Sequence, residues 1–138
     1  MTEHLRVLIV DDHLVTRKGL RYLLDGEPDI EVVAEASNGR EAVELAREHR
    51  PTEIVMDIAM PMTNGIDATR QILSEHPETK VLMISSVTEH DMINAALSCG
   101  AVGYISKGTS LLDVPLALRE IHRGRTFLRL GRARSSVA

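Results

Sequence analysis

Short runs of apolar, mostly branched residues alternate along the chain with longer segments whose apolar residues recur at helical spacing. The short runs predict buried strands, and the longer segments predict helices with one apolar face. The predicted strands lie at 6–10, 30–34, 54–57, 81–84 and 102–105, and the predicted helices at about 14–24, 39–49, 65–76, 88–99 and 110–123. Five strand-then-helix units of this length indicate a parallel sheet covered by helices on both faces.

Pro115 leaves two alternatives for the start of the last helix. A start at Ser110 puts Pro115 beyond the first turn, where a proline removes an intrahelical hydrogen bond. A start at Asp113 puts it within the first turn, where it costs little. We therefore predict the later start, or a distorted first turn.

Handedness restricts how these units connect, because crossovers between parallel strands are almost always right-handed. The predicted fold class is therefore α/β: a single doubly wound, five-stranded parallel sheet in the flavodoxin-like order 2-1-3-4-5, with helices on both faces. In such a sheet, a ligand binds beyond the carboxyl ends of the strands, close to the point where the strand order reverses. The candidate site residues are those that follow each strand.

Composition places the chain among ordinary soluble domains. Hydrophobic residues make up 43% and charged residues 26% of its 138 residues, and aromatic residues only 2%, which predicts an aliphatic core. No apolar stretch approaches the ~20 residues of a membrane span, and the N-terminus does not resemble a signal peptide. A single cysteine excludes an internal disulfide and fits a reducing compartment, so we expect a cytoplasmic protein.

The net charge of −4 is unevenly distributed along the chain. All 20 acidic residues lie in 1–122 together with 11 of the 16 basic residues, which gives this part a net charge of −9. An acidic body disfavours nucleic-acid binding by the body itself. We predict one folded domain over 1–124 and a basic tail over 125–138, which either is a solvated linker or contacts an anionic partner.

Polar side chains follow four of the predicted strands. They are Asp11 and Asp12 after the first strand, Asp57 at the end of the third, Ser85 and Ser86 after the fourth, and Lys107 after the fifth. Taken one at a time, such residues are more often helix caps, turn formers or solvated charges than site residues. Three carboxylates, a hydroxyl and an ammonium at one edge of a sheet are harder to explain in that way, so we predict a shared site.

The three carboxylates would repel one another, and a hard divalent cation would relieve that repulsion. Oxygen ligands suit Mg²⁺ or Mn²⁺, and no cysteine and histidine spacing suggests zinc. Mg²⁺ held by few carboxylates commonly works with phosphate, whose charge Lys107 would neutralise. Asp57 is the best candidate for a nucleophile that forms an acyl phosphate. Neither GxxxxGK[ST] nor GxGxxG occurs, which disfavours nucleotide binding of those kinds.

Four segments together match a known family. They are VLIVDDH at 7–13, MDIAMPMTNG at 56–65, VLMIS at 81–85 and ALSCGAVGYISK at 96–107. With this spacing the chain resembles the receiver domain of two-component response regulators, and most closely the NarL/FixJ (LuxR-type) subclass. The resemblance covers about residues 5–124.

The resemblance implies that a sensor histidine kinase phosphorylates Asp57. Asp12, the Asp57 carboxylate and the backbone carbonyl of Ala59 would bind Mg²⁺, with Asp11 assisting, and Lys107 would pair with the phosphate or with Asp57. On phosphorylation, Ser85 would follow the phosphoryl group and Tyr104 would change rotamer. The output surface would consist of the helix after Ser85, the strand at Tyr104 and the last helix.

The function implied is a phosphorylation-activated switch that forms the regulatory domain of a transcription factor and dimerises on phosphorylation. It would not be a metabolic enzyme, and at most it would show weak Mg²⁺-dependent autophosphorylation and autodephosphorylation. Relatives of this subclass usually continue into a helix-turn-helix domain, so DNA contact is expected only through such a missing domain. The alternative is a stand-alone receiver that acts through protein contacts. Gly108 also replaces the proline that often follows the motif lysine.

Two other classes of function compete with this interpretation. An aspartate-nucleophile phosphohydrolase typically needs a second aspartate two residues after the nucleophile, where this chain has Ala59. A phosphorylation-independent interaction module would not need the five polar site residues, namely Asp11, Asp12, Asp57, Ser85 and Lys107. Their presence together favours the switch.

Overall fold

A parallel β-sheet forms the centre of the molecule in the computed structural model, which describes residues 4–60, 64–86 and 90–129. Its strands are β1 (Leu5–Val10), β2 (Ile30–Ala36), β3 (Glu53–Asp57), β4 (Lys80–Ser85), β5 (Gly103–Ser106) and β6 (Phe127–Arg129). The helices are α1 (Leu14–Asp25), α2 (Gly39–His49), α3 (Gly65–Glu75), α4 (His90–Ser98), α5 (Lys107–Ser110) and α6 (Val114–His122), with a 3₁₀ turn at Leu111–Asp113.

The strand order is β2-β1-β3-β4-β5-β6, and every neighbouring pair is parallel. This confirms the predicted fold class and the order of its first five strands. The predicted count of five strands is wrong, because Phe127–Arg129 adds a sixth strand beside β5. The predicted basic tail, 125–138, includes these three residues, since a run this short carries no strand pattern. Residues 130–138 lie outside the described part of the chain.

The core consists of two apolar layers, one on each face of the sheet. One layer packs α2, α3 and α4 against side chains such as Leu8 and Met56, and it includes Tyr104. The other packs α1 and α6 against side chains such as Ile9 and Val55. Successive strand residues thus point to opposite layers, which explains why the strands read as continuous apolar runs.

Side-chain caps define the starts of α2 and α3. The Asn38 side chain accepts a hydrogen bond from the Glu41 N–H at 2.8 Å, and Asn64 accepts one from the Asp67 N–H at 2.9 Å. The predicted start of α4, at residue 88, lies outside the described residues. Within the described ranges, no helix is long and apolar enough to span a membrane.

The last helix starts late, as predicted, with Pro115 in its first turn. The short helix α5 and the 3₁₀ turn that precede it were not predicted. They correspond to the distorted first turn that is the alternative prediction for the start of the last helix. The consequence for the site is that Lys107 lies in a helical turn that directly follows β5.

Candidate functional site

The carboxyl ends of the central strands meet at one edge of the sheet. Asp11 directly follows β1, Asp57 is the last residue of β3, and Lys107 directly follows β5. Strand register brings these ends level, since Asp57 pairs with Ile84 in β4 and the next residue, Ser85, pairs with Ser106 in β5. Parallel pairing therefore gathers residues that are far apart in sequence.

The three acidic residues lie close together and differ in burial. The side chain of Asp11 is fully buried, that of Asp57 is 3% exposed, and that of Asp12 is 26% exposed. Donor atoms from Asp11, Asp12, His13 and Asp57 all lie within 4.8 Å of one another. The cluster is thus a buried pair of carboxylates with a third acid opening to solvent.

Lys107 is the cation that reaches the buried pair. Its Nζ lies 3.0 Å from Asp11 Oδ2 and 3.3 Å from Asp57 Oδ2. One ammonium cannot neutralise three carboxylates, and the pKa of Asp57 shows the remaining imbalance. Burial and the neighbouring Asp11 charge raise that pKa from 3.8 to about 7, although Lys107 opposes the shift.

Three carboxylate oxygens in this cluster have no hydrogen-bond partner among the described residues, although they are buried. They are Asp11 Oδ2, Asp12 Oδ1 and Asp57 Oδ2. Lys107 forms ion pairs with two of them, Asp11 Oδ2 and Asp57 Oδ2. Buried oxygens of this kind normally have a partner, and a divalent cation with oxygen ligands would provide one. The residues therefore fit the predicted Mg²⁺ or Mn²⁺.

The backbone after Asp57 is held tightly against the neighbouring elements. The Ile58 N–H donates to the Ile84 carbonyl at 3.2 Å, and the Gly65 N–H donates to the Ile58 carbonyl at 2.8 Å. A Cβ on Gly65 would lie 2.2 Å from the Asp57 carbonyl oxygen, so this contact requires glycine. Ala59 is exposed in the loop between them. The role of its carbonyl as a ligand stays a prediction.

Ser85 is the predicted hydroxyl of the site. It is buried at the end of β4, and a hydrogen bond joins it to Tyr104, whose side chain is fully buried among the residues packed under α4. Burial raises the pKa of the Tyr104 hydroxyl, and the hydrogen bond to Ser85 lowers it in part. Ser86, the alternative hydroxyl, is exposed. The structure thus joins Ser85 and Tyr104 by a hydrogen bond.

Two residues at this edge were given no role from the sequence. The His13 N–H donates to Asp11 Oδ1 at 2.8 Å, and His13 Nδ1 lies 3.3 Å from one oxygen each of Asp11 and Asp12. Arg17 donates through Nη1 to the Asp11 carbonyl at 2.7 Å. His13 directly follows the two acids in the sequence, and that adjacency was the signal that could have identified it.

Comparison with known proteins agrees with the motif pattern. A family model described as the response regulator receiver domain matches residues 7–119. The transcriptional regulatory protein LiaR of Bacillus subtilis is 38% identical over 124 residues, which are 90% of this chain and 59% of LiaR. The response regulator VraR of Staphylococcus aureus is 41% identical over 122 residues, which are 88% of this chain and 58% of VraR. The chain therefore spans less than two thirds of the length of these relatives.

Solved structures give the same result. A LuxR-family two-component response regulator from Aurantimonas sp. SI85-9A1 superposes with a TM-score of 0.86 at 34% identity, covering 91% of this chain and 89% of that one. The receiver domain of the NarL response regulator from Mycobacterium tuberculosis superposes with a TM-score of 0.84 at 32% identity, covering 89% of this chain and 99% of that one.

Proposed function

This chain belongs to the family of response regulator receiver domains, and we propose that it is a phosphorylation-controlled switch of a two-component signalling system. In this proposal, a sensor histidine kinase donates a phosphoryl group to Asp57. The observation that carries the proposal is the set of three buried carboxylate oxygens without hydrogen-bond partners among the described residues, next to Lys107.

Each residue of the cluster has a distinct part in this proposal. Asp12, Asp57 and the Ala59 carbonyl would hold Mg²⁺ or Mn²⁺, with Asp11 assisting, and the ion would supply positive charge to the carboxylates and phosphoryl oxygens. Asp57 must be deprotonated to attack phosphorus, and its raised pKa means that burial alone works against that state. Lys107 already lies within reach of Asp57 and would neutralise part of the phosphoryl charge.

Ser85 and Tyr104 would carry the signal away from Asp57. In this step the Ser85 hydroxyl donates to a phosphoryl oxygen, and Tyr104, which is hydrogen-bonded to Ser85, follows it. Tyr104 packs in the layer beneath α4, so its movement would change the surface around α4. Modification of Asp57 would then shift the population between two arrangements of that surface, and a homodimer is the expected result.

The output proposed is control of transcription. LiaR is named a transcriptional regulatory protein, and this chain matches 59% of it. DNA contact would therefore belong to a helix-turn-helix domain outside the matched part. We place the protein in the cytoplasm and assign it weak autophosphorylation and autodephosphorylation at most.

Intact-mass spectrometry with a small phosphodonor tests the proposal. In the presence of Mg²⁺, the wild-type chain should gain about 80 Da, the mass of HPO₃, and it should gain nothing when EDTA is present from the start of the reaction. Asp57→Asn should show no gain, whereas Asp67→Asn, which changes an exposed acid on α3, should behave as wild type. A wild-type chain without the adduct, or an equal adduct on Asp57→Asn, would contradict the proposal.

A further inference from the structure

An imidazole lies beside the acid cluster. His13 is the residue before α1, and its extended backbone, with φ −89° and ψ 112°, keeps it outside the helix. Its backbone N–H donates a hydrogen bond of 2.8 Å to Asp11 Oδ1, which holds the turn in place. The side chain is 65% exposed, so the ring borders both the buried acids and solvent.

The spacing of the ring nitrogen fits a ligand position. His13 Nδ1 lies 3.3 Å from Asp11 Oδ1 and 3.3 Å from Asp12 Oδ1. Neighbouring ligands of an ion with bonds of about 2.0–2.2 Å lie roughly 2.9–3.5 Å apart in octahedral or tetrahedral geometry. All four donor atoms of the cluster lie within 4.8 Å of one another, so modest adjustment brings them around one ion.

The atoms nearest to the ring are not fully paired without an ion. Asp12 Oδ1 is buried and lacks a hydrogen-bond partner in the described part of the chain, although His13 Nδ1 is 3.3 Å away. Lys107 does not compete for this position, because it pairs with Asp57 and with the other oxygen of Asp11. His13 Nδ1 is hydrogen-bonded to Asp11 Oδ1 at 3.3 Å, so an ion between Asp12 Oδ1 and His13 Nδ1 would replace that hydrogen bond and give Asp12 Oδ1 a partner.

Ligand chemistry then distinguishes among the ions. Mg²⁺ takes oxygen ligands and seldom accepts imidazole, whereas Mn²⁺ and Co²⁺ accept both. A neutral imidazole can carry its proton on Nε2 and offer the Nδ1 lone pair to a metal. We propose that His13 ligates a divalent transition-metal ion through Nδ1 and makes this site select Mn²⁺ or Co²⁺ over Mg²⁺. This proposal rests on the proposed function only for the location of the ion.

Pulsed EPR on the Mn²⁺-loaded full chain tests it directly. Coupling to ¹⁴N is expected in wild type and should disappear in His13→Asn. By titration calorimetry, His13→Asn should weaken Mn²⁺ binding about tenfold and leave Mg²⁺ binding within about twofold. Asparagine at position 13 retains the backbone N–H that donates a hydrogen bond to Asp11 Oδ1, so the turn should be preserved.

His4→Asn is the matched control, because His4 is an exposed histidine that pairs with Glu31 and is not in the acid cluster. It should retain the nitrogen coupling and both affinities. Wild type without nitrogen coupling, or coupling that survives in His13→Asn, would overturn the proposal. If Mg²⁺-dependent phosphorylation is intact in that case, the proposed function stands and only the role of His13 fails. If nitrogen coupling is observed but no phosphoryl adduct forms, the role of His13 stands and the proposed function fails.

Discussion

Asp57 should make the metal-free protein less stable as the pH rises. Its pKa is raised to about 7, so between about pH 4 and pH 7 the folded state keeps a proton that the unfolded state has released. The contribution of Asp57 to the free energy of unfolding is therefore greatest below this pH range and is lost as the pH rises through it. Asp57→Asn removes the titrating group, so its stability relative to wild type in EDTA should increase from pH 5 to pH 8 by roughly 2–3 kcal/mol.

Urea unfolding followed by circular dichroism measures this difference. Asp67→Asn serves as the control, because that acid is exposed on α3, and its difference from wild type should stay flat with pH. Saturating Mg²⁺ should reduce the advantage of Asp57→Asn at pH 8. A difference between Asp57→Asn and wild type that does not depend on pH would show that burial of this charge is not costly.

Only glycine fits at position 65. A Cβ there would lie 2.2 Å from the Asp57 carbonyl oxygen and 2.9 Å from the Ile58 Cα, and neither backbone atom can rotate away. Gly65→Ala should lower the free energy of unfolding by about 2 kcal/mol or more and weaken cation binding, because it displaces Asp57.

Gly19→Ala is the matched control for Gly65→Ala. Gly19 lies within α1, where a Cβ would meet no described atom within 4 Å. Alanine should therefore raise stability there by up to about 1 kcal/mol through helix propensity. Equal stability of Gly65→Ala and wild type in chemical unfolding would contradict the close contact.

At the residue scale, strand ends were the informative signal. Asp11, Asp57 and Lys107 could be grouped from sequence because parallel strands end at one edge. His13 received no role, since a histidine after two acids also fits an ordinary turn before a helix. The raised pKa of Asp57 required the structure, because it depends on burial and on the distance to Asp11.

At the element scale, Arg119 anchors α6 to the segment between α1 and β2. Its Nε and Nη2 donate to the two Asp29 carboxylate oxygens, each at 2.8 Å, and Nη2 also donates to Glu27. The Arg119 side chain is 27% exposed, and its hydrogen bonds hold the pKa of Asp29 below its usual value. Arg119→Gln should therefore cost about 1–2 kcal/mol.

Arg47→Gln provides the comparison for Arg119→Gln. Arg47 binds Glu75 through two hydrogen bonds of 2.7 Å, but its side chain is 53% exposed. Exposed pairs contribute little, so this change should cost about 0.5 kcal/mol or less. Thermal unfolding of both variants measures the contrast, and equal losses would show that anchoring of α6 by Arg119 adds nothing beyond a surface ion pair.

The elements that sequence missed are short or irregular. β6 has three residues, of which only Phe127 is partly buried, and strand patterns need about four to eight. The turn at Leu111–Asp113 was not predicted because it follows neither a strand nor an α-helical period. The five longer strands and their helices were predictable, since each carries one continuous apolar run or one apolar face.

At the scale of the whole molecule, the acid cluster lies at the carboxyl edge of the sheet and the proposed switch residue Tyr104 lies in the layer under α4. Ser85, at the end of β4, is hydrogen-bonded to Tyr104. Fold class and strand order followed from sequence, because five strand-then-helix units allow few topologies. The connection from Ser85 to Tyr104 required the structure, since their side chains meet across β4 and β5.

Chemical mapping of the phosphoryl group tests the central claim most directly. Borohydride reduces an acyl phosphate to an alcohol, which converts the modified aspartate into homoserine. After treatment with a phosphodonor and Mg²⁺, followed by borohydride, tandem mass spectrometry should find homoserine at position 57 and aspartate at positions 11 and 12. Homoserine at position 11 or 12, or none anywhere in the phosphodonor-treated chain, would contradict the assignment of Asp57 as the phosphoacceptor.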